Sequence, residues 1–314
     1  MSTTDVARAD TGRAGVFARA TLAMGAMAVG LGTAGAVGDV VHARLGIDGF
    51  ALRLSVALTC FVITVPLIVL LRTRFDRRSL AGLGLSARHA ARAFASGVLI
   101  TAAAAAVVFA AGTGLGWLRW GAVDWLALAT FLLTNTLVAL LLEAVPEELA
   151  FRGYGYRTLN ARLRRWTAAV ATTVLFLLTP AAASAVQALV NGLLGGPVRP
   201  PAFAPPGEDP VSYAILLSVF GFTLLVARIA TGSLWTCVAL HLTFLTINRV
   251  TLLGDARDAG WSVQLNTQDA VLLVPAYLLL TVLAFVVLAR VRGRRLGWRD
   301  REPEPAGTDA TRTR

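Results

Sequence analysis

Two adjacent glutamates and an arginine stand at the end of a long apolar run, and their spacing could support hydrolytic chemistry. Residues 125–142 carry no charge, and Glu147, Glu148 and Arg152 follow within ten residues. Carboxylates in such a setting are costly, because hydrocarbon does not solvate them, and they are usually kept for a function. On a helix Glu148 and Arg152 can pair at a spacing of four, which leaves Glu147 on a neighbouring face. Glu147 would then suit a general base that takes a proton from water. The alternative is that these side chains are only the polar end of a helix at the membrane surface.

The composition predicts a membrane protein. Hydrophobic residues make up 56% of the 314 residues, which is too many for a soluble domain. The net charge of +11 could suggest nucleic acid, but the basic residues, all of them arginines, cluster between apolar runs. Arginines in such loops set membrane topology, so we expect no nucleic acid partner. Cys60 and Cys237 lie in separate apolar runs and predict neither a disulfide framework nor a zinc site.

The apolar runs predict an all-α, polytopic transmembrane helix bundle with about eight spans. A span needs about 20 apolar residues, and the runs that qualify are 16–37, 51–71, 93–111, 123–144, 168–194, 211–229, 234–253 and 270–291. The loops between spans two and three and between spans four and five are rich in arginine, as is the segment after the last span. Such loops stay in the cytoplasm, so both termini are predicted to be cytoplasmic.

The longer pattern around the glutamates resembles a known family. Pro146, Glu147, Glu148, two apolar residues and then Phe151-Arg152-Gly153 are similar to the first motif of the CPBP family. This family comprises the CAAX proteases and bacteriocin-processing enzymes, also called Abi proteins. The resemblance implies a polytopic membrane fold in which Glu147 activates a water, while Glu148, Phe151 and Arg152 support the motif. It also divides the chain into a polar tail (1–14), two N-terminal transmembrane helices (15–79), a CPBP-like membrane core (80–293) and a disordered cytoplasmic tail (294–314).

The family's two later motifs are each only half present. The segment 232–241 looks like the family's approach to its last histidine, which makes His241 the second candidate catalytic residue. The Asn or Asp expected four residues later is replaced by Leu245. In the second motif Phe176 is present, but Pro180 stands where the histidine should be, and proline can neither donate nor accept a proton there.

Other polar groups could replace the missing ones. Gln187 and Ser184 follow Pro180 on the same predicted helix, and Asn248 lies seven residues after His241. Seven residues correspond to roughly 10 Å along a helix at 1.5 Å per residue, so Asn248 would need a helix distortion to reach the site. These side chains could equally be polar contacts between helices.

The sequence therefore predicts a glutamate-dependent intramembrane endopeptidase of CPBP type. It would cleave a peptide or membrane-protein substrate near the cytoplasmic face of a cell membrane, the bacterial cytoplasmic membrane, and would be slow because two catalytic groups are absent. The alternative is an inactive CPBP-fold protein that acts as a binding, regulatory or bacteriocin-immunity partner. A transporter is a third, weaker hypothesis, because the chain lacks the paired interrupted helices of alternating access. No cofactor is expected, and zinc is disfavoured because adjacent glutamates on a helix point apart. The sequence does not indicate an oligomeric state.

Overall fold

The chain folds as a bundle of long helices joined by short connectors. The computed structural model describes residues 12–302, so parts of both predicted tails lie outside the described residues. The long helices are α1 (Arg13–Leu45), α2 (Gly49–Leu70), α3 (Ala90–Gly114), α4 (Trp125–Ala139), α7 (Arg165–Leu194), α8 (Pro210–Thr231), α9 (Leu234–Thr251) and α10 (Leu273–Val291). The short helices α5 (Val145–Glu148) and α6 (Tyr156–Asn160) continue α4. Two short strands, β1 (Leu118–Trp120) and β2 (Val263–Leu265), pair antiparallel with Trp120 opposite Val263.

The predicted helical membrane bundle is confirmed. Seven helical stretches in residues 12–302 are long and apolar enough to cross a membrane. The eighth predicted span is α9, which occupies the expected position but has 18 residues and is not among these seven. It carries polar side chains, including His241, Asn248 and Arg249, and it packs against α3, α4 and α8 inside the protein. A helix surrounded by protein does not need a lipid-facing surface, which explains its lower hydropathy.

The arginine-rich connectors collect at one end of the bundle. Val16 and Ala20 of α1 share a buried cluster with Tyr156 and Leu159 of α6 and with Trp298, which follows α10. Arg19 of α1 forms an ion pair with Asp76, at 3.1 Å, in the connector after α2. Both ends of the described chain therefore lie at the same end of the bundle, as an even number of crossings requires. That this end faces the cytoplasm stays a prediction.

Part of the C-terminal tail that we expected to be disordered is packed against the bundle. The backbone N–H of Arg165 donates to Asp300 at 2.9 Å, and that of Trp166 donates to Trp298 at 3.1 Å. The side chain of Arg157 pairs with Glu302 at 2.8 Å. Polar composition predicts disorder only where the chain finds no partners, and here residues 296–302 find them at the start of α7. Residues 303–314 lie outside the described part.

The chain from Trp125 to Asn160 is one helical stretch, which we call the motif helix. Two π-helical segments, Leu140–Ala144 and Leu149–Gly155, flank the single α-helical turn α5 that carries the glutamates. A π segment widens the turn and rotates the side chains that follow it, and such segments are frequent at functional sites. The first segment therefore rotates Glu147 and Glu148 relative to α4, and the second rotates the residues that follow them.

Candidate active site

Glu148 is the centre of a buried charged cluster. Its side chain is 0% exposed, and its Oε1 accepts a hydrogen bond from Arg152 Nη1 at 3.2 Å. The same oxygen lies 2.9 Å from Nδ1 of His241 on α9. A carboxylate oxygen can only accept at this contact, so Nδ1 carries the proton. The expected pairing of Glu148 with Arg152 is present, and His241 joins it.

Arg152 is enclosed by aromatic rings and a backbone carbonyl. Its guanidinium carbon lies 4.5 Å from the centre of the Phe176 ring, and Nη2 donates to the Gly221 carbonyl on α8 at 3.3 Å. The rings of Phe151 and Phe176 meet edge to face with centres 5.3 Å apart. A Cβ at Gly221 would lie 3.3 Å from both Arg152 and Phe176, so the absence of a side chain lets α8 approach. Phe151, Arg152 and Phe176 thus form one packed unit with Glu148.

Glu147 lies beside this unit but takes no part in it. It is partly buried, and it forms no hydrogen bond or ion pair with any residue from 12 to 302. The short helix α5, which carries Glu147, packs against α9, which carries His241. The structure therefore places the two candidate catalytic residues on helices that pack together, with Glu148 as the direct partner of His241.

The other ring nitrogen of His241 is free to act on a ligand. The imidazole packs edge-on against Phe220, with ring centres 4.8 Å apart at an interplanar angle of 83°. Its one hydrogen bond within residues 12–302 is the contact of Nδ1 with Glu148. In the neutral tautomer that carries its proton on Nδ1, the ring has a lone pair on Nε2.

The positions of the missing catalytic groups are apolar, as the sequence predicts. Pro180 lies within α7 and lines a cavity of about 340 Å³. Leu245, one turn after His241, packs against the apolar cluster formed by Ala139, Val238 and Leu242. Neither position offers a hydrogen-bond donor for a developing oxyanion.

The secondary polar groups do not replace the missing ones. Gln187 Nε2 donates to Asp39 of α1 at 2.9 Å, and Ser184 Oγ accepts from the backbone N–H of Ala202 at 2.9 Å. Asn248 Nδ2 donates to the hydroxyl of Tyr277 at 2.6 Å and to the carbonyl of Phe244 at 2.7 Å. All three side chains contact other helices or connectors, and none of them bonds to Glu147.

The sequence analysis did not predict the ion pair between Glu143, one turn before Glu147, and Arg249. Arg249 Nη2 contacts both oxygens of Glu143, at 2.6 and 2.8 Å, and Nη1 donates to Asn135 at 3.3 Å. Glu143 precedes Glu147 by four residues, and Arg249 follows His241 by eight. An arginine inside an apolar helix implies a carboxylate partner, so this signal was present in the sequence. The pair joins α9 to the motif helix at the level next to the site.

We found no arrangement suited to a metal ion in residues 12–302. No group of three or more His, Cys, Asp or Glu side chains in this range is placed to hold one. Glu148 and His241 are in contact, but Arg152 occupies the position next to them.

Comparison with known proteins supports the family resemblance. Residues 128–247 match a family model described as type II CAAX prenyl endopeptidase, Rce1-like. This region of the chain therefore matches the CAAX protease family. It includes the complete first motif, Phe176 and His241, and it ends just before Asn248 and Arg249. No curated protein and no solved structure matches the chain. Together with the apolar helices, the CAAX protease match identifies a multi-pass membrane protein.

Proposed function

We propose that the chain is an intramembrane endopeptidase in which Glu147 is the general base. The observation that carries this proposal is the difference between the two adjacent glutamates. Glu148 is completely buried and neutralised by Arg152, whereas Glu147 is partly accessible and has no partner in the described chain. A carboxylate left unpaired at membrane depth costs free energy that packing does not return. Accepting a proton from a bound water gives that carboxylate a role.

The proposed reaction uses Glu147 and His241 together. Water bound between them donates one hydrogen bond to the Glu147 carboxylate and the other to Nε2 of His241. Glu147 takes the first proton as the water oxygen attacks the scissile carbonyl, and it later gives a proton to the leaving amine. Glu148 holds the imidazole through Nδ1 and fixes which nitrogen faces the water. Glu148 and Arg152 are therefore positioning residues.

The rate should be low, because Pro180 and Leu245 supply no oxyanion donor. Loss of one such donor typically costs about 10²–10³ in kcat. The test is cleavage of a library of membrane peptides by the reconstituted protein, compared with Glu147→Ala. Loss of cleavage in the variant supports the proposal, and cleavage that is unchanged rejects it.

The second candidate function is a non-catalytic membrane partner. The apolar side chains at both missing motif positions favour it, since a protein that only binds needs no oxyanion donor. It predicts that a bound peptide is recovered intact and that binding is insensitive to Glu147→Ala. Absence of cleavage by both folded proteins would support this function over the first.

A further inference from the structure

A cavity of about 340 Å³ lies between helices of the N-terminal pair and the core. Its walls come from α1, α2, the motif helix and α7, from the start of α8, and from the proline-rich connector between α7 and α8. Leu31, Val56, Leu142 and Phe203 make much of the lining apolar. The volume is in the range of small-molecule and peptide side-chain sites. It admits a short apolar segment of chain and excludes a folded partner.

One carboxylate, Asp39 of α1, lines this cavity. Its Oδ2 accepts two hydrogen bonds, from Gln187 Nε2 at 2.9 Å and from Asn191 Nδ2 at 2.8 Å, both on α7. Its Oδ1 has no hydrogen-bond or ion-pair partner among residues 12–302. The two donors are neutral amides, so they orient the carboxylate but leave its negative charge in place.

The packing of α1 against α7 holds the Asp39 carboxylate in position. A Cβ at Gly32 would clash with the Ala183 carbonyl oxygen, so α1 approaches α7 closely because residue 32 is glycine. A Cβ at Gly35 would lie 2.7 Å from Gln187 Cδ and displace that side chain. Asn191 is 2% exposed, and its Nδ2 also donates to the Pro197 carbonyl at 2.9 Å. One amide group therefore connects α1, α7 and the connector that covers the cavity.

No basic side chain in the described range neutralises Asp39. Arg199 in the connector lines the cavity, but it is exposed and makes no ion pair with Asp39. An unpaired carboxylate inside an apolar helix is stabilised most by a cation. A ligand with a positive group and an apolar body fits both the charge and the lining.

We propose that this cavity binds a primary ammonium group carried on an apolar molecule, with Asp39 as its counter-charge. The proposed source of this ammonium group is a lysine side chain in an otherwise apolar peptide. An ethanolamine lipid headgroup offers the same chemistry, so the experiment separates these two sources. The site lies partly on α1, outside the region that matches the CAAX protease model. It does not rest on the proposed cleavage, because binding can be measured on a chain that lacks the Glu147 carboxylate.

The test measures peptide binding to the full chain carrying Glu147→Gln, in nanodiscs of phosphatidylcholine, whose headgroup has no primary ammonium. The probes are two N-acetylated apolar hexapeptides with a fluorophore, identical except that one carries lysine and the other norleucine. Hydrogen bonds to charged groups suggest a preference for lysine of about tenfold or more. Asp39→Asn should remove the preference, because Asn keeps an acceptor for Gln187 and Asn191 but has no charge. Asp39→Glu should retain part of the preference.

The matched control is Asp48→Asn. Asp48 follows α1 at the same end of the bundle, and its side chain is 72% exposed and paired with His42. This variant should keep the full lysine preference. Equal binding of the two peptides by the parent chain overturns the proposal whatever the variants do, and so does a lysine preference that survives in folded Asp39→Asn. Phosphatidylethanolamine that competes with the lysine peptide only when Asp39 is present would identify the lipid headgroup as the source.

Discussion

The same substitution of glutamate by glutamine should lower stability at Glu148 and abolish peptide cleavage at Glu147. Glu148→Gln removes the counter-charge of Arg152, whose side chain is 0% exposed. Removing one partner of a buried ion pair typically costs 3–5 kcal/mol, because the other charge stays buried. Glutamine still offers an oxygen to Arg152 and His241, so we expect the lower end of that range. The free energy of unfolding should fall by about 3 kcal/mol, roughly a 100-fold change in the unfolding equilibrium.

Glu147→Gln should not lower stability. Glu147 has no hydrogen-bond or ion-pair partner in residues 12–302, so the substitution breaks no contact and removes a charge that is partly buried without compensation. Peptide cleavage, in contrast, should be lost in this variant, because an amide cannot take the proton of water. The pair of variants therefore separates a structural carboxylate from a catalytic one.

The assay is unfolding of the purified variants by a denaturing detergent in mixed micelles, followed by far-UV circular dichroism. Glu148→Gln combined with Arg152→Met serves as the control, since removing both charges should recover part of the lost stability. Equal destabilisation by Glu147→Gln and Glu148→Gln would refute the assignment. So would a Glu148→Gln variant as stable as the parent.

Further outcomes follow from the same contacts. Leu245→Asn places an amide one turn from His241, and it should raise kcat for peptide cleavage by about 10²-fold if the missing donor limits the rate. The control variant Leu245→Ala should give no gain in kcat. An equal effect of both variants would count against an oxyanion donor at this position. Arg249→Met should lower stability by about 3 kcal/mol, because it leaves the Glu143 carboxylate unpaired among helices. Adding Glu143→Gln to that variant should restore most of the loss in the same detergent assay, and failure to restore it would show that the two side chains are not coupled.

The sequence predicts the helices well but not which side chains meet between them. Apolar runs mark the spans, and the spacing of four between Glu148 and Arg152 predicts their contact. The partner of His241 was not predictable, because the π segment Leu140–Ala144 before α5 rotates the two glutamates by an amount that periodicity does not encode. Gln187 likewise contacts Asp39, 148 residues earlier in the chain, and no local pattern indicates that pairing.

The packing of the C-terminal segment also escaped sequence-based prediction. Residues 296–302 are held largely through backbone carbonyls that accept from Arg157, Arg165 and backbone N–H groups. Such contacts need no apolar periodicity in the segment itself, so composition alone predicts disorder.

The retained motif residues differ in what they say about catalysis. Glu148, Arg152 and Phe176 contact one another, which gives all three a structural role whether or not the protein cleaves peptides, although Glu148 Oε2 and Arg152 Nε are buried without a hydrogen-bond partner within residues 12–302. Contacts within the fold account for only one of the two ring nitrogens of His241, because Nδ1 is bound to Glu148 while Nε2 has no hydrogen bond within the described chain. No contact accounts for Glu147, because its carboxylate is partly buried, which is unfavourable, and has no compensating hydrogen bond or ion pair within the described chain. Stability alone would favour an apolar residue at position 147. The presence there of Glu147, a motif side chain without a partner in the described residues, is therefore the strongest structural argument for hydrolysis.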